Sequence, residues 1–158
     1  MQATSGLEDP QDHALVHTLA YAGLIPFALL SVLIWLVGVE LQTWVAIALS
    51  GYAALIASFL GGIHWGIGWN ALREAGVMPL PHARRSHFLW GVAPSLLAWP
   101  GLLMPAHAGL AWLGLVLIIC YLVDRVLYKQ AGLHDWLTLR FRLSAAAALS
   151  CFIAAGAL

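Results

Sequence analysis

Two ionisable side chains stand in stretches otherwise built from apolar residues. His64 lies within Ser58-Phe-Leu-Gly-Gly-Ile-His-Trp-Gly66, and Asp124 within Cys120-Tyr-Leu-Val-Asp-Arg-Val-Leu-Tyr128. A buried charge is costly unless paired, so each residue belongs either to a structural pair or to a functional site. Histidine titrates near neutral pH and is suited to carrying protons. A His64–Asp124 pair is one arrangement. Arg125, Arg142 and the hydroxyls of Tyr121 and Tyr128 are other partners open to Asp124.

The remaining histidines suggest a second chemistry. His13 and His17 are one helical turn apart, a spacing that suits a metal or haem face. No Cys or carboxylate at ligand spacing completes the set. No H-E-x-x-H, G-x-S-x-G, phosphate loop or dinucleotide fingerprint occurs, so no catalytic residue is assigned.

The elements that must position these groups follow from composition. Of 158 residues, 62% are hydrophobic and 9% charged, with mean hydropathy +0.87. A soluble domain carries roughly 25% charged residues. Fourteen charged side chains with net charge zero cannot coat a soluble body of this size, nor do they make a basic nucleic-acid binder. Cys120 and Cys151 lie in apolar runs and offer no disulfide framework.

A helix needs about 20 apolar residues to cross ~30 Å of hydrocarbon. Five stretches qualify: about 17–38, 43–69, 87–104, 109–128 and 141–158, after a polar segment at 1–16. The expected fold is therefore an all-α integral membrane protein, a compact bundle of five transmembrane helices. All seven basic residues fall in two connections, Arg73, Arg84 and Arg85 in one and Arg125, Lys129, Arg140 and Arg142 in the other. The positive-inside rule places both in the cytoplasm, with the N-terminus cytoplasmic and the C-terminus outside. The N-terminal segment has no basic n-region, so the first span reads as an anchor. Six of the seven histidines (13, 17, 64, 82, 87 and 134) then fall on or near the cytoplasmic side. Met78-Pro-Leu-Pro81 reads as an extended break, Gly132 as a helix stop, and Leu133 to Leu139 as an interfacial turn or short helix.

At a rise of 1.5 Å per residue, His64 lies roughly 9 Å and Asp124 about 6 Å above the cytoplasmic ends of their helices. They share a level. The second span also carries Ser58, Gly62 and Gly66 at four-residue steps, beside a stripe of Ala57 and Gly61. Small residues so spaced let membrane helices approach closely. Pro26 and Pro94 are expected to kink the first and third spans and to free the carbonyls of Ala22 and Trp90. Gly23-x-x-Pro26 and Gly91-x-x-Pro94 open two outward-running helices, a weak parallel repeat of two helical hairpins followed by a fifth helix.

Gly23 to Phe27, Ser58 to Gly66, Pro94 to Trp99, and Asp124-Arg125 together resemble the uncharacterised family called domain of unknown function 3429. That family includes the mitochondrial transmembrane protein 69. The resemblance runs in order from about His17 onward. It implies an all-helical domain in a bacterial or mitochondrial inner membrane, and it carries no established activity.

Three classes of function follow. The first is a non-enzymatic accessory, assembly or scaffold component acting through helix packing, with a membrane-protein partner or a second copy. The second is a small transporter or channel for protons, ions or a small solute, using the His64/Asp124 level. The third is a haem- or metal-binding membrane protein using the cytoplasmic-side histidines. Short loops and the absence of enzyme motifs favour the first.

Overall fold

The computed structural model describes residues 10–74, 81–130 and 133–158, and the side chains of 13–70, 85–129 and 133–158. Residues 78–80 of the expected extended break, Gly132, and the side chains of Arg73, His82 and Arg84 lie outside these bounds. The described residues are all helical apart from short turns: α1 (Pro10–Ala22), α2 (Ile25–Leu36), α3 (Val39–Glu74), α4 (Pro81–Ala98), a 3-10 turn (Trp99–Leu102), α5 (Ala106–Gln130) and α6 (Trp136–Ala155).

Four segments are long and apolar enough to cross a membrane by length and composition: His13–Leu36, Val39–Asn70, Ala106–Lys129 and Trp136–Ala155. α4 is not among them, because its first turns carry Arg84, Arg85, Ser86 and His87. Large apolar side chains face outward along the rods, Leu36 at 75% exposure and Leu55 at 68%. Such a surface suggests a multi-pass membrane protein, since a water-facing domain would present polar groups there.

Several boundaries differ from those read from sequence. α1 and α2 form one span broken at Gly23 and Leu24. Pro26 sits in the first turn of α2 rather than mid-helix, where its missing N–H is no loss. The Gly23 carbonyl left at the break accepts the Tyr52 hydroxyl at 2.8 Å. The expected loop at Val39 to Gln42 is the first turn of α3. The Gln42 side chain donates to the Ile34 carbonyl at 3.2 Å, capping the end of α2. α3 therefore has 36 residues, about 54 Å at the usual rise.

α3 is the central rod and packs on α2, α4 and α5, while α6 closes against α5 and α2. The core between them holds Phe27, Ile34, Leu49, Leu113, Leu117 and Cys151. The packed stripe of α3 is Ala53, Ala57, Leu60, Gly61 and His64. At Gly61 the α4 backbone comes so close that an added methyl would run into the Gly91 carbonyl, beside Pro94. Pro94 does lie inside α4, at this crossing. Ser58, Gly62 and Gly66 point away from the bundle, and nothing within the chain approaches a Cβ at either glycine. The reason is angular: a four-residue step advances 400°, so the two small stripes face different neighbours.

Candidate functional site

Four helices meet at Asp124. Its Oδ1 accepts from His64 Nε2 of α3 at 2.8 Å and from Trp90 Nε1 of α4 at 2.9 Å. Its Oδ2 accepts from Arg140 of α6, through Nε at 3.0 Å and Nη2 at 2.6 Å. A carboxylate has about four acceptor positions, and here all are filled by N–H donors. The Trp90 donor and the two from Arg140 are fixed, and the guanidinium charge against Oδ2 favours the carboxylate, which then accepts the fourth bond from His64. His64 is fully enclosed, Asp124 is 1% exposed and Arg140 8%.

Charge balance explains how such a group persists in an apolar bundle. The carboxylate and guanidinium cancel, and Arg140 Nη1 donates its next hydrogen bond to Ser144 Oγ at 2.7 Å. Among the described residues no buried side-chain nitrogen or oxygen lacks a partner.

His64 extends the chain outward. Its Nδ1 lies 2.9 Å from Nδ1 of His87, and the two rings stack with centroids 5.2 Å apart. With Nε2–H committed to Asp124, the two facing Nδ1 atoms share one proton. Either His87 donates to a neutral His64, or an imidazolium His64 donates to His87. Tyr128 covers the other side of His64 at 5.2 Å between ring centroids.

The residues singled out from sequence are thus only partly gathered. His64 and Asp124 touch. Arg125 and Arg142 are both exposed, and the arginine of the cluster is Arg140. Arg140 was counted as a loop charge because the fifth span was expected to begin at Phe141. α6 starts at Trp136, which places Arg140 one turn inside it, facing in, while Arg142 faces out. A signal existed: Leu139, Arg140, Ser144, Ala147, Ala148 and Cys151 follow a helical three-four spacing, all buried. His87 stands at the start of the expected third span, and Trp90 figures there only through its backbone carbonyl, so neither side chain is placed in the cluster from sequence.

His13 and His17 lie exposed on α1. Among the described residues no three His, Cys, Asp or Glu side chains are grouped so as to hold a metal ion. The two cysteines, Cys120 and Cys151, are free and buried.

A model of a family described as "Protein of unknown function (DUF3429)" matches residues 13–156. No curated protein and no solved structure matches the chain.

Proposed function

The chain belongs to the DUF3429 family of proteins of unknown function, and on that premise we propose that it is a non-enzymatic accessory or assembly component of an inner membrane. That membrane is bacterial, or mitochondrial as the family resemblance implies. The bundle crosses it five times, α4 with its 3-10 turn supplying the third crossing, with the N-terminus cytoplasmic and the C-terminus outside. One observation carries the role: the small-residue face Ser58–Gly62–Gly66 of α3 is exposed and unused within the chain. Glycine and serine at four-residue steps let a second helix backbone approach, which is how association gains packing energy where lipid tails remove the hydrophobic drive. The partner is a membrane helix of another protein or of a second copy.

Recovery of the protein from its native membrane in mild detergent tests this reading. The expected result is a stoichiometric companion, another protein or a second copy, lost in Gly62→Leu while the melting temperature is kept. Recovery of the chain alone as a monomer, with or without the substitution, rejects it.

A second reading is favoured by the 2.9 Å His64–His87 contact. A proton arriving at His87 Nε2 would release the shared proton to His64 Nδ1, leaving an imidazolium beside the Asp124 carboxylate. The arrangement is a two-step relay running toward Asp124. Proteoliposomes report it directly: proton uptake that disappears in His87→Ala supports the relay, and uptake equal to empty vesicles removes it.

A further inference from the structure

A break at Gly23 and Leu24 separates α1 from α2, and residues of α1, α3 and α6 line a cavity of about 650 Å³. Leu19 of α1 and Phe59 of α3 line it and are 62% and 65% exposed, so they form lips open to the side of the bundle. Inward, Phe27 and Leu117 give an apolar lining. The exception is a single corner where Tyr128, Arg140 and Ser144 reach the cavity wall. All three are buried, at 4%, 8% and 4% exposure. The volume falls within the ~300–1,000 Å³ of small-molecule pockets, which are largely apolar with a few convergent polar groups.

The corner defines what head group fits. A guanidinium has five N–H donors. Asp124 takes two, Ser144 one and the Tyr128 hydroxyl one, leaving one guanidinium N–H. The Tyr128 hydroxyl accepts from the same guanidinium and keeps its own O–H to donate. The corner therefore has donors to give. Its charge is already balanced by Asp124, so a ligand anion would bring an uncompensated charge into an apolar setting, whereas a neutral carbonyl oxygen would bring none. The rest of the cavity, apolar and open sideways between Leu19 and Phe59, suits a hydrocarbon chain entering from the bilayer.

We infer that this cavity binds an uncharged, chain-bearing carbonyl lipid, its carbonyl oxygen accepting hydrogen bonds at the Arg140–Tyr128–Ser144 corner and its chain lying toward Leu19 and Phe59. An ester lipid and a prenylated quinone share this chemistry. Gly62 and Gly66 of the partner face do not line the cavity, although Phe59 lies on their side of α3.

The full chain in detergent is titrated separately with monoolein and with decyl-ubiquinone, and binding is read as a saturable one-to-one adduct by native mass spectrometry. Saturable binding of either probe supports the assignment, and which probe binds more tightly identifies the source. Sodium oleate, with a chain like that of monoolein but a carboxylate head, is expected to bind about tenfold more weakly. Leu143→Trp fills the inner wall and Leu19→Trp obstructs the lips. Each is expected to lower affinity by about tenfold or more, and Leu19→Trp, at an exposed position, decides the matter where Leu143→Trp fails to fold. Absence of saturable binding by both probes, oleate binding as tightly as monoolein, or unchanged affinity in folded tryptophan variants overturns the assignment.

Discussion

His64 Nε2 and Asp124 Oδ1 stand 2.8 Å apart although 60 residues separate them in the chain. The bond ties α3 to α5 at the point where Trp90 of α4 and Arg140 of α6 also converge. The carboxylate has four donors, and losing any one of them leaves the rest of the site mismatched. That asymmetry sets the first expectations.

Asp124→Asn should be severely destabilising, because Arg140 is then buried beside an amide that cannot balance its charge. Breaking one partner of a buried ion pair costs about 3–5 kcal/mol. Asp124→Leu combined with Arg140→Met removes both charges and should cost less than Asp124→Asn alone. Denaturant or thermal unfolding of the three purified proteins in one detergent checks the order. A double variant worse than the single would show that the pair is worth more than its desolvation.

Arg140 and Arg142 are two residues apart yet should behave oppositely. Arg140→Lys loses the paired Nε and Nη2 contacts to Oδ2 and the reach to Ser144, since an ammonium is a single point charge. A loss of about 1.5–3 kcal/mol is expected for charge-assisted bonds of this kind. Arg142→Ala, at an exposed position, should stay within about 0.5 kcal/mol of the parent. Melting temperatures of the two variants, measured side by side, decide it.

Gly61 and Gly62 offer a matched pair on one helix. Gly61→Ala drives a methyl into the Gly91 carbonyl and must part α3 from α4, for which overpacking costs of about 1–3 kcal/mol apply. Gly62→Ala meets no neighbour in the chain and should leave the unfolding midpoint unchanged or raise it slightly through better helix propensity. Equal destabilisation by both would contradict the packing register of α3.

The proton between the two histidines can be observed. With both rings neutral, His64 should be the Nε2–H tautomer and His87 the Nδ1–H tautomer, because Asp124 fixes the first and the 2.9 Å contact fixes the second. Nitrogen-15 spectra of histidine-labelled protein distinguish the tautomers. His87→Phe should leave the His64 Nε2–H signal in place while removing the shared proton.

Much of this arrangement was legible in the sequence, for identifiable reasons. His64 and Asp124 stand out because ionisable residues are rare in apolar runs, and equal depth follows from counting 1.5 Å per residue. The second stripe of α3 leads to Gly61 because His64 lies three residues further along the same face. Arg140 was hidden by an ambiguity in the meaning of charge. The same arginine serves as a topological signal in a loop or as a counter-ion in a helix, and only the start of α6 separates the two. Pro26 misled for a related reason: its place in the first turn of a new helix depends on where α1 ends, and Gly23 rather than the proline marks that break. The cavity was invisible, since its walls come from α1, α3 and α6, which are far apart in the chain, and no residue encodes an empty space.

The placement of Arg140 on α6 has a consequence for the order of assembly. As a nascent chain is made from its N-terminus, α3, α4 and α5 leave the ribosome before α6. His64, Trp90 and Asp124 can then meet with the carboxylate lacking the one permanent cation it pairs with among the described residues. The early bundle is an interrupted circuit, open to water or to a borrowed positive group, and the arrival of α6 completes it. Chains halted before Arg140 should therefore remain sensitive to proteases and to insertion quality control, while those extended past Ser144 acquire resistance in one step.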